Sequence, residues 1–216
     1  MIFEFLKAGF LGLIEGITEF LPISSTGHLI LAGELIGFTG ERAKTFEIFI
    51  QLGAILSVVW LYRRKIFVWN SQTWPLVKNV LIAFLPAAIV GFLIHDFVKE
   101  VLFTPVIVAV SLITGGFLIF AIEYLVRRFS VESIEKITLK KSFAVGMAQI
   151  LALVPGVSRS GATILGGMVT GMNRRVATEF SFFLAIPTMF AATLYDLVKS
   201  ASFLEKSDFP LFAAGF

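Results

Sequence analysis

The sequence has 216 residues, of which 57% are hydrophobic and only 15% are charged. A soluble domain carries about 25% charged residues, so this composition excludes an ordinary soluble protein and indicates an integral membrane protein. The net charge of +3 is too small and too scattered to predict nucleic-acid binding. Because the chain has no Cys, disulfides, a thiolate nucleophile and a Cys-ligated metal are excluded.

The first apolar stretch covers residues 9–20 and is too short for a spanning helix, which needs about 20 residues. Glu15 and Glu19 interrupt it and no small-residue cleavage site follows, so we expect mature sequence here rather than a signal peptide. The stretch breaks at Pro22, and a second short apolar run follows. This pattern of helix, break and helix is typical of a re-entrant hairpin, which a membrane tolerates only where the loop is buried or lines a wet cavity.

Three apolar stretches that are long enough to cross the membrane come next. They cover residues 45–62, 76–94 and 105–126. Basic residues follow the first stretch at positions 63–65 and the third stretch at Arg127 and Arg128. Because Lys and Arg are biased towards the cytoplasm, the first span is predicted to end inside, the second outside and the third inside.

A second hairpin pattern and a fourth long apolar stretch follow in the rest of the sequence. Residues 143–154 are apolar but short and break at Pro155, and residues 177–198 are long enough to span. Since three spans separate the two hairpins, the first is predicted to enter from outside and the second from inside. That arrangement is an inverted-topology repeat within a single membrane domain, with repeat 1 at about residues 1–126 and repeat 2 at about residues 137–216.

Sequence correspondence between the two hairpins supports the repeat. A shift of 134 positions aligns Gly12 with Gly146, Glu15 with Gln149, Ser24 with Ser158, Thr26 with Ser160, Gly27 with Gly161 and Gly33 with Gly167. In inverted-repeat membrane proteins the broken helices meet near the midplane, and their free ends face a common site. We therefore predict an all-α polytopic protein whose two re-entrant helical hairpins meet near the midplane of the membrane.

The two break regions carry polar residues that are costly in hydrocarbon and therefore indicate a site. They read E-G-I-T-E-F-L-P-I-S-S-T-G-H at residues 15–28 and P-G-V-S-R-S-G-A-T at residues 155–163. If the hairpins meet, Glu15, Glu19, Ser25 and His28 converge with Arg159, although these residues are far apart in sequence.

These residue types match the needs of diphosphate hydrolysis, which requires an in-line nucleophile, positive charge on the phosphoryl oxygens and a proton path. Arg159 offers a planar fork of donors that fits a phosphate group. Hydroxyl groups and backbone N–H groups around the two breaks form a predicted anion cradle at the helix starts. Its members are Ser24, Thr26, Gly27, Ser158, Ser160, Gly161 and Thr163.

Ser25 is the predicted nucleophile, with His28 three residues on and close enough on one helical turn to take its proton. Direct attack by water is the alternative. Glu15 and Glu19 share one helix face at i, i+4, so they can hold a divalent cation, or one of them can act as proton acceptor. Oxygen ligands favour Mg²⁺ or Ca²⁺ over zinc.

The two motifs closely resemble those of the bacitracin-resistance family of undecaprenyl-diphosphate phosphatases, and the resemblance extends over the whole chain. It implies a hydrolase of the bacterial cytoplasmic (inner) membrane that converts undecaprenyl diphosphate to undecaprenyl phosphate and inorganic phosphate at a site facing the outer side. Such a reaction recycles the lipid carrier of cell-wall synthesis and confers bacitracin resistance. The family continues through further apolar helices, whereas this sequence stops at Phe216, so the second repeat is expected to be incomplete.

Two other functions fit the same pattern. Inverted repeats with broken helices are a transporter architecture, so Arg159 could instead bind a small anion in transit, and a lipid flippase could use the same cavity. Another membrane phosphatase pattern, S-R-x5-H, fails because Leu165 stands six positions after Arg159. His95, beside Asp96, is expected to lie in a surface loop without a role. The oligomeric state stays open, with a homodimer as one alternative.

Overall fold

The computed structural model describes residues 2–68, 73–126 and 129–216, and these residues form an all-helical protein. The α-helices in chain order are α1 Ile2–Thr18, α2 Ser25–Ile36, α3 Glu41–Leu61, α4 Arg63–Phe67, α5 Thr73–Phe97, α6 Pro105–Leu125, α7 Leu139–Gln149, α8 Arg159–Val169, α9 Arg174–Ser200 and α10 Phe209–Gly215. A π-helical turn, Val98–Leu102, extends α5.

Four helices of the described chain are long and apolar enough to cross a membrane: α3, α5 with its π-helical turn, α6 and α9. They overlap the four predicted spans, so that prediction is confirmed, and the largest difference is at the end of the second span, which continues to Leu102. The most apolar of them, α6, buries only Val108 and Ser111 within the protein, a pattern typical of a helix that faces lipid. Arg127 and Arg128, on which the predicted orientation of the third span depends, lie outside the described residues.

Each motif interrupts a helix where the sequence predicts a break. Around Pro22, α1 ends at Thr18 and α2 begins at Ser25. Around Pro155, α7 gives way to a 3₁₀ turn, Ile150–Leu153, before α8 begins. Proline cannot donate the backbone hydrogen bond that would continue a helix, which explains why both interruptions fall at these positions.

The second helix of each pair begins in the same way. The Ser24 hydroxyl accepts a hydrogen bond from Gly27 N at 3.2 Å, and the Ser158 hydroxyl accepts one from Gly161 N at 3.0 Å. A serine N-cap satisfies one of the backbone N–H groups that a helix start leaves free. The two caps stand 134 positions apart, which is the shift that aligns the motifs. The sequence correspondence therefore extends to the local structure.

The two breaks lie against each other and against α6. The Ser160 hydroxyl, at the start of α8, donates to the Leu21 carbonyl at 2.9 Å. Gly156 has a left-handed φ of 90°, and a Cβ there would come within 2.7 Å of the Val108 carbonyl oxygen. Only glycine combines that backbone with so close an approach. The two breaks are therefore in direct contact, as the predicted meeting of the broken helices requires.

Hydrophobic packing fixes the helices beside the breaks. A small core cluster joins Ile55 and Val58 of α3 to Met189 of α9. Phe20, in the first break, packs edge to face on Phe182 of α9 with ring centroids 5.7 Å apart. A larger cluster packs α7 and α8 against α5 and α9. As a result, α3 and α9 form a common wall next to both breaks.

Candidate active site

A cavity of about 450 Å³ lies where the two breaks face α3, α5 and α9. Apolar side chains of α5 and of the 3₁₀ turn line part of it, among them Phe84, Phe92 and Leu153. The polar lining that comes from the two motifs consists of Glu19, Ser24, Ser25, Thr26, Ser158, Arg159 and Ser160. The cavity thus combines a hydroxyl-rich, cationic region with apolar walls, a surface suited to an amphiphilic anion.

Glu19 joins the two motifs. Its Oε1 accepts a hydrogen bond from Arg159 Nη2 at 2.5 Å, although 140 residues separate the two. Its Oε2 accepts the hydrogen bond that the Ser25 hydroxyl donates. All three side chains are largely buried, and hydrogen bonds between charged partners are among the stronger ones in proteins. The predicted convergence of Glu19, Ser25 and Arg159 is therefore observed.

The Arg159 guanidinium is held at several points, but its Nε is not among them. Nη1 donates to the Ser181 carbonyl of α9 at 3.2 Å, and Nη2 also lies 3.4 Å from Met189 Sδ. Nε is buried and has no hydrogen-bond partner among the described residues. An unpaired buried donor costs free energy, so Nε is a donor whose partner the described residues do not supply.

Three predicted members of the anion cradle make other contacts. Thr163 is 1% exposed and does not line the cavity, and its hydroxyl donates to the Arg159 carbonyl at 2.9 Å and lies 2.7 Å from Ser181 Oγ. The backbone N–H groups of Gly27 and Gly161 already donate to the serine caps. The predicted members that do line the cavity are Ser24, Thr26, Ser158 and Ser160.

Ser25 has a different hydrogen-bond partner from the one predicted. Its hydroxyl donates to Glu19, whereas His28 Nδ1 lies 2.7 Å from the Ser24 carbonyl oxygen. His28 is half-buried and does not line the cavity. A helical side chain leans back over the preceding turn, which brings the His28 ring onto the carbonyl four residues earlier.

Glu15 lies one helical turn before Glu19 and is 1% exposed. Neither of its carboxylate oxygens has a hydrogen-bond partner among the described residues. Two free buried oxygens fit either a proton or a bound cation, because a lone buried carboxylate is costly. In the described part of the chain no three His, Cys, Asp or Glu side chains are grouped to hold a metal. A cation would therefore need Glu15, Glu19 and ligands from substrate or water.

Two glutamines of the cavity belong to neither motif and carry no predicted role. Gln51 of α3 donates to Thr26 Oγ1 at 3.1 Å, and Gln149 at the end of α7 donates to Thr188 Oγ1 at 3.3 Å. Both line the cavity. Gln149 stands at the position that the shift of 134 residues aligns with Glu15, which is the one feature of the sequence that singles it out.

A second polar cluster forms another part of the cavity wall. Lys99 Nζ is 2.7 Å from Asp196 Oδ1, and His95 Nε2 is 3.5 Å from the same oxygen. His95 lines the cavity and packs edge to face on Tyr195, with ring centroids 4.7 Å apart. The prediction that His95 lies in a surface loop is wrong, because α5 continues to Phe97 and carries His95 into this cluster.

Comparison with known proteins places the chain in a family. The family model of the bacitracin resistance protein BacA matches residues 8–216. An undecaprenyl-diphosphatase of Acinetobacter baumannii (strain ATCC 17978) is 50% identical, and the match covers 99% of this chain and 81% of that protein. The undecaprenyl-diphosphatase 3 of Acinetobacter baylyi is 52% identical over 99% of this chain and 83% of its own length. The undecaprenyl-diphosphatase of Methylobacillus flagellatus is 52% identical, and the match covers 98% of this chain and 82% of that protein. The chain therefore belongs to the BacA family of bacitracin resistance proteins.

Proposed function

We propose that this protein is an undecaprenyl-diphosphate phosphatase of the bacterial membrane, which hydrolyses undecaprenyl diphosphate to undecaprenyl phosphate and inorganic phosphate. Membership of the BacA family and 50% identity to a curated undecaprenyl-diphosphatase support this activity. The observation that carries it in this chain is the contact of both Ser25 and Arg159 with Glu19 in the cavity. That group combines a nucleophile, a proton acceptor and a cation, which phosphoryl transfer needs in one place.

In this proposal Arg159 binds the terminal phosphoryl group. Glu19 and the Ser181 carbonyl hold the two terminal nitrogens, and Nε, which has no partner among the described residues, would donate to a phosphoryl oxygen. The positive charge of the guanidinium stabilises the negative charge that spreads over these oxygens in the transition state. Further hydroxyl donors come from Ser24, Thr26, Ser158 and Ser160.

Ser25 is the nucleophile. Its oxygen attacks the terminal phosphorus, the bond from this phosphorus to the bridging oxygen breaks, and undecaprenyl phosphate leaves with the electron pair. Glu19 takes the hydroxyl proton along the existing hydrogen bond. Water then attacks the phosphorus of the phosphoserine, and the bond between this phosphorus and the Ser25 oxygen breaks. Glu19 returns the proton to the Ser25 oxygen, and the released phosphate keeps the oxygen and both hydrogens of the water. In the alternative scheme, water attacks the diphosphate directly and no phosphoserine forms.

A divalent cation, Mg²⁺ or Ca²⁺, is part of the proposal. Glu15 offers two buried oxygens without a hydrogen-bond partner, and Glu19 adds a second carboxylate one turn later. Oxygen ligands of this kind suit both ions. When bound, such a cation neutralises charge on the diphosphate. Glu15 and Glu19 would hold it, and a proton on Glu15 would relieve the cost of burial in its absence.

We also propose that the pairs α1–α2 and α7–α8 are re-entrant hairpins of an inverted-topology repeat, with repeat 1 at about residues 1–126 and repeat 2 at about residues 137–216. In support, α2, α7 and α8 have 12, 11 and 11 residues and are too short to span a bilayer. The matching serine caps and the contact between the breaks agree with this arrangement. The cavity then opens to the outer side of the inner membrane, where the enzyme recycles the lipid carrier of cell-wall synthesis and confers bacitracin resistance.

Phosphate release in detergent tests the function. Wild-type protein should release inorganic phosphate from undecaprenyl diphosphate, and Arg159→Ala protein should not. Because detergent-solubilised protein has no gradient to use, phosphate release separates an enzyme from an anion transporter. Translocation of a fluorescent lipid by Arg159→Ala protein in vesicles would instead indicate a flippase. Folded wild-type protein that releases no phosphate would refute the proposal.

A further inference from the structure

Ser24, the residue before the proposed nucleophile, has a strained backbone. Its φ of 63° and ψ of 91° lie in a region that residues with a Cβ avoid. In the described parts of the chain it is the one non-glycine residue with a positive φ. Such a conformation persists only where neighbouring contacts hold it. The surroundings of Ser24 should therefore contain the group that maintains it.

The conformation of Ser24 determines the direction of Ser25. The ψ angle of Ser24 sets how the chain enters α2, and so it sets where the Ser25 hydroxyl points. With the observed backbone, this hydroxyl reaches Glu19 in the first break. A relaxed φ at Ser24 would turn the hydroxyl away from Glu19. The strain is therefore coupled to the contact on which the proposed chemistry depends.

His28 makes the contacts that hold this backbone. Its Nδ1 lies 2.7 Å from the Ser24 carbonyl oxygen, and its backbone N donates to the same oxygen at 3.2 Å. A carbonyl oxygen only accepts, so Nδ1 must carry a hydrogen in this contact. No hydrogen bond joins His28 to Ser25 in the parts of the chain that the structure describes. Two donors of one residue therefore fix the carbonyl of the strained turn.

We propose that His28 is a positioning residue that holds the Ser24 carbonyl and thereby the strained turn that directs the Ser25 hydroxyl to Glu19. This inference rests on the proposed function, in which Ser25 attacks phosphorus. The role requires an N–H donor at Nδ1, and it does not require a ring that takes up a proton. Both the neutral imidazole with its hydrogen on Nδ1 and the protonated imidazole carry this N–H.

Substitutions at His28 separate positioning from general-base catalysis. In His28→Asn the amide nitrogen takes the place of Nδ1 and can donate to the carbonyl, but it cannot act as a base. In His28→Gln the amide nitrogen lies nearer the place of Nε2, and His28→Ala has no donor. We expect kcat for phosphate release to fall about tenfold or less in His28→Asn, and about 100-fold or more in the other two. KM should change little, and the pH profile of kcat should keep its shape in His28→Asn.

A general-base role predicts a different series. Removing a general base costs about 10²–10⁴-fold, and His28→Asn would then lose as much as His28→Ala. Equal, large losses in all three variants would overturn the proposal. Thermal unfolding in detergent checks that each variant is folded, and the comparison of His28→Asn with His28→Gln suffices if His28→Ala does not fold.

Substitutions at Ser24 test the link to backbone strain. Glycine adopts a positive φ freely and alanine does not, while both remove the Ser24 hydroxyl, so the two are matched controls. In a Ser24→Gly background, His28→Ala should therefore lower kcat only slightly. In a Ser24→Ala background, His28→Ala should lower kcat by about as much as it does in the wild-type protein. An equal cost in the two backgrounds would overturn the proposal.

The protonation of the ring can be measured without turnover. The chain has two histidines, so ¹⁵N NMR of histidine-labelled His95→Gln protein reports on His28 alone. We expect a hydrogen on Nδ1, and a neutral ring with its hydrogen on Nε2 would overturn the proposal. The proposed function and the positioning role of His28 can fail separately. An inactive wild-type protein with the hydrogen on Nδ1 would refute the phosphatase function. An active wild-type protein with the hydrogen on Nε2 would refute only the positioning role of His28.

Discussion

Arg159→Lys should remove most of the activity although it keeps the positive charge. In the structure the guanidinium contacts Glu19 at 2.5 Å and the Ser181 carbonyl at 3.2 Å, and Nε has no partner among the described residues. In the proposed mechanism Nε donates to the phosphoryl group. The three donors of a lysine ammonium all stand on one nitrogen, so they cannot reproduce the spread of the guanidinium fork over the carboxylate, the α9 backbone and the substrate. Loss of one preorganised donor at a developing negative charge costs about 10²–10³-fold in kcat. We expect a loss of this size or larger.

Arg159→Ala should reduce stability as well as activity. Glu19 is 7% exposed, and removal of its cationic partner leaves a buried carboxylate without charge compensation. Breaking a buried pair in this way costs about 3–5 kcal/mol of folding free energy. The Ser25 hydroxyl still donates to Glu19 and moderates the loss. Adding Glu19→Gln removes the uncompensated charge, so the double variant should regain thermal stability while it stays inactive.

Two assays on the same preparations test these expectations. Phosphate release from undecaprenyl diphosphate in detergent gives kcat and KM, and thermal unfolding gives stability. Thr193→Val is a matched control on α9, because the buried Thr193 side chain does not line the cavity and the variant removes its hydrogen bond to the Ile48 carbonyl at 3.1 Å. It should lower stability by about 1 kcal/mol and leave activity unchanged. Near-normal kcat in Arg159→Lys would refute the reasoning, since Arg159 would then supply only general positive charge.

If Glu15 and Glu19 hold a divalent cation, EDTA should stop phosphate release and Mg²⁺ or Ca²⁺ should restore it. Full activity in excess EDTA would show that these two carboxylates act only as acid–base groups. If Ser25 is the nucleophile, Ser25→Ala should be inactive and acid quench should trap a phosphoserine, whereas turnover without a phosphoenzyme would indicate direct attack by water. Thr163→Val removes the hydroxyl that contacts the Arg159 carbonyl and Ser181 of α9, so it should lower kcat by up to about tenfold, whereas Thr163→Ser should not. Equal kcat values for the two variants would show that this hydroxyl is dispensable. A single Cys at exposed Thr39 should react with an impermeant maleimide from outside and one at exposed Glu132 should not; labelling of both from one side would exclude the inverted repeat.

The sequence alone determines the four spanning helices of this protein and the places where the two motifs interrupt a helix. Apolar runs of about 20 residues predict the four spanning helices, because lipid offers no partner to an unsatisfied backbone group. Pro22 and Pro155 predict the two breaks, since proline removes a backbone donor. The structure adds that Ser24 and Ser158 cap the following helices, because a serine oxygen satisfies a free N–H group there. Each of these features depends on residues that are close along the chain.

Only the tertiary structure decides which side chains meet in the site and how they pair. Glu19 reaches Arg159 because the two breaks pack together, across 140 residues of chain. The Ser25 hydroxyl donates to Glu19, and His28 contacts the carbonyl of Ser24, a residue whose positive φ no residue pattern specifies. Thr163, which the motif predicts for phosphate, instead contacts α9. The direction of a helical side chain follows from the register and packing of its helix, and the whole chain sets both.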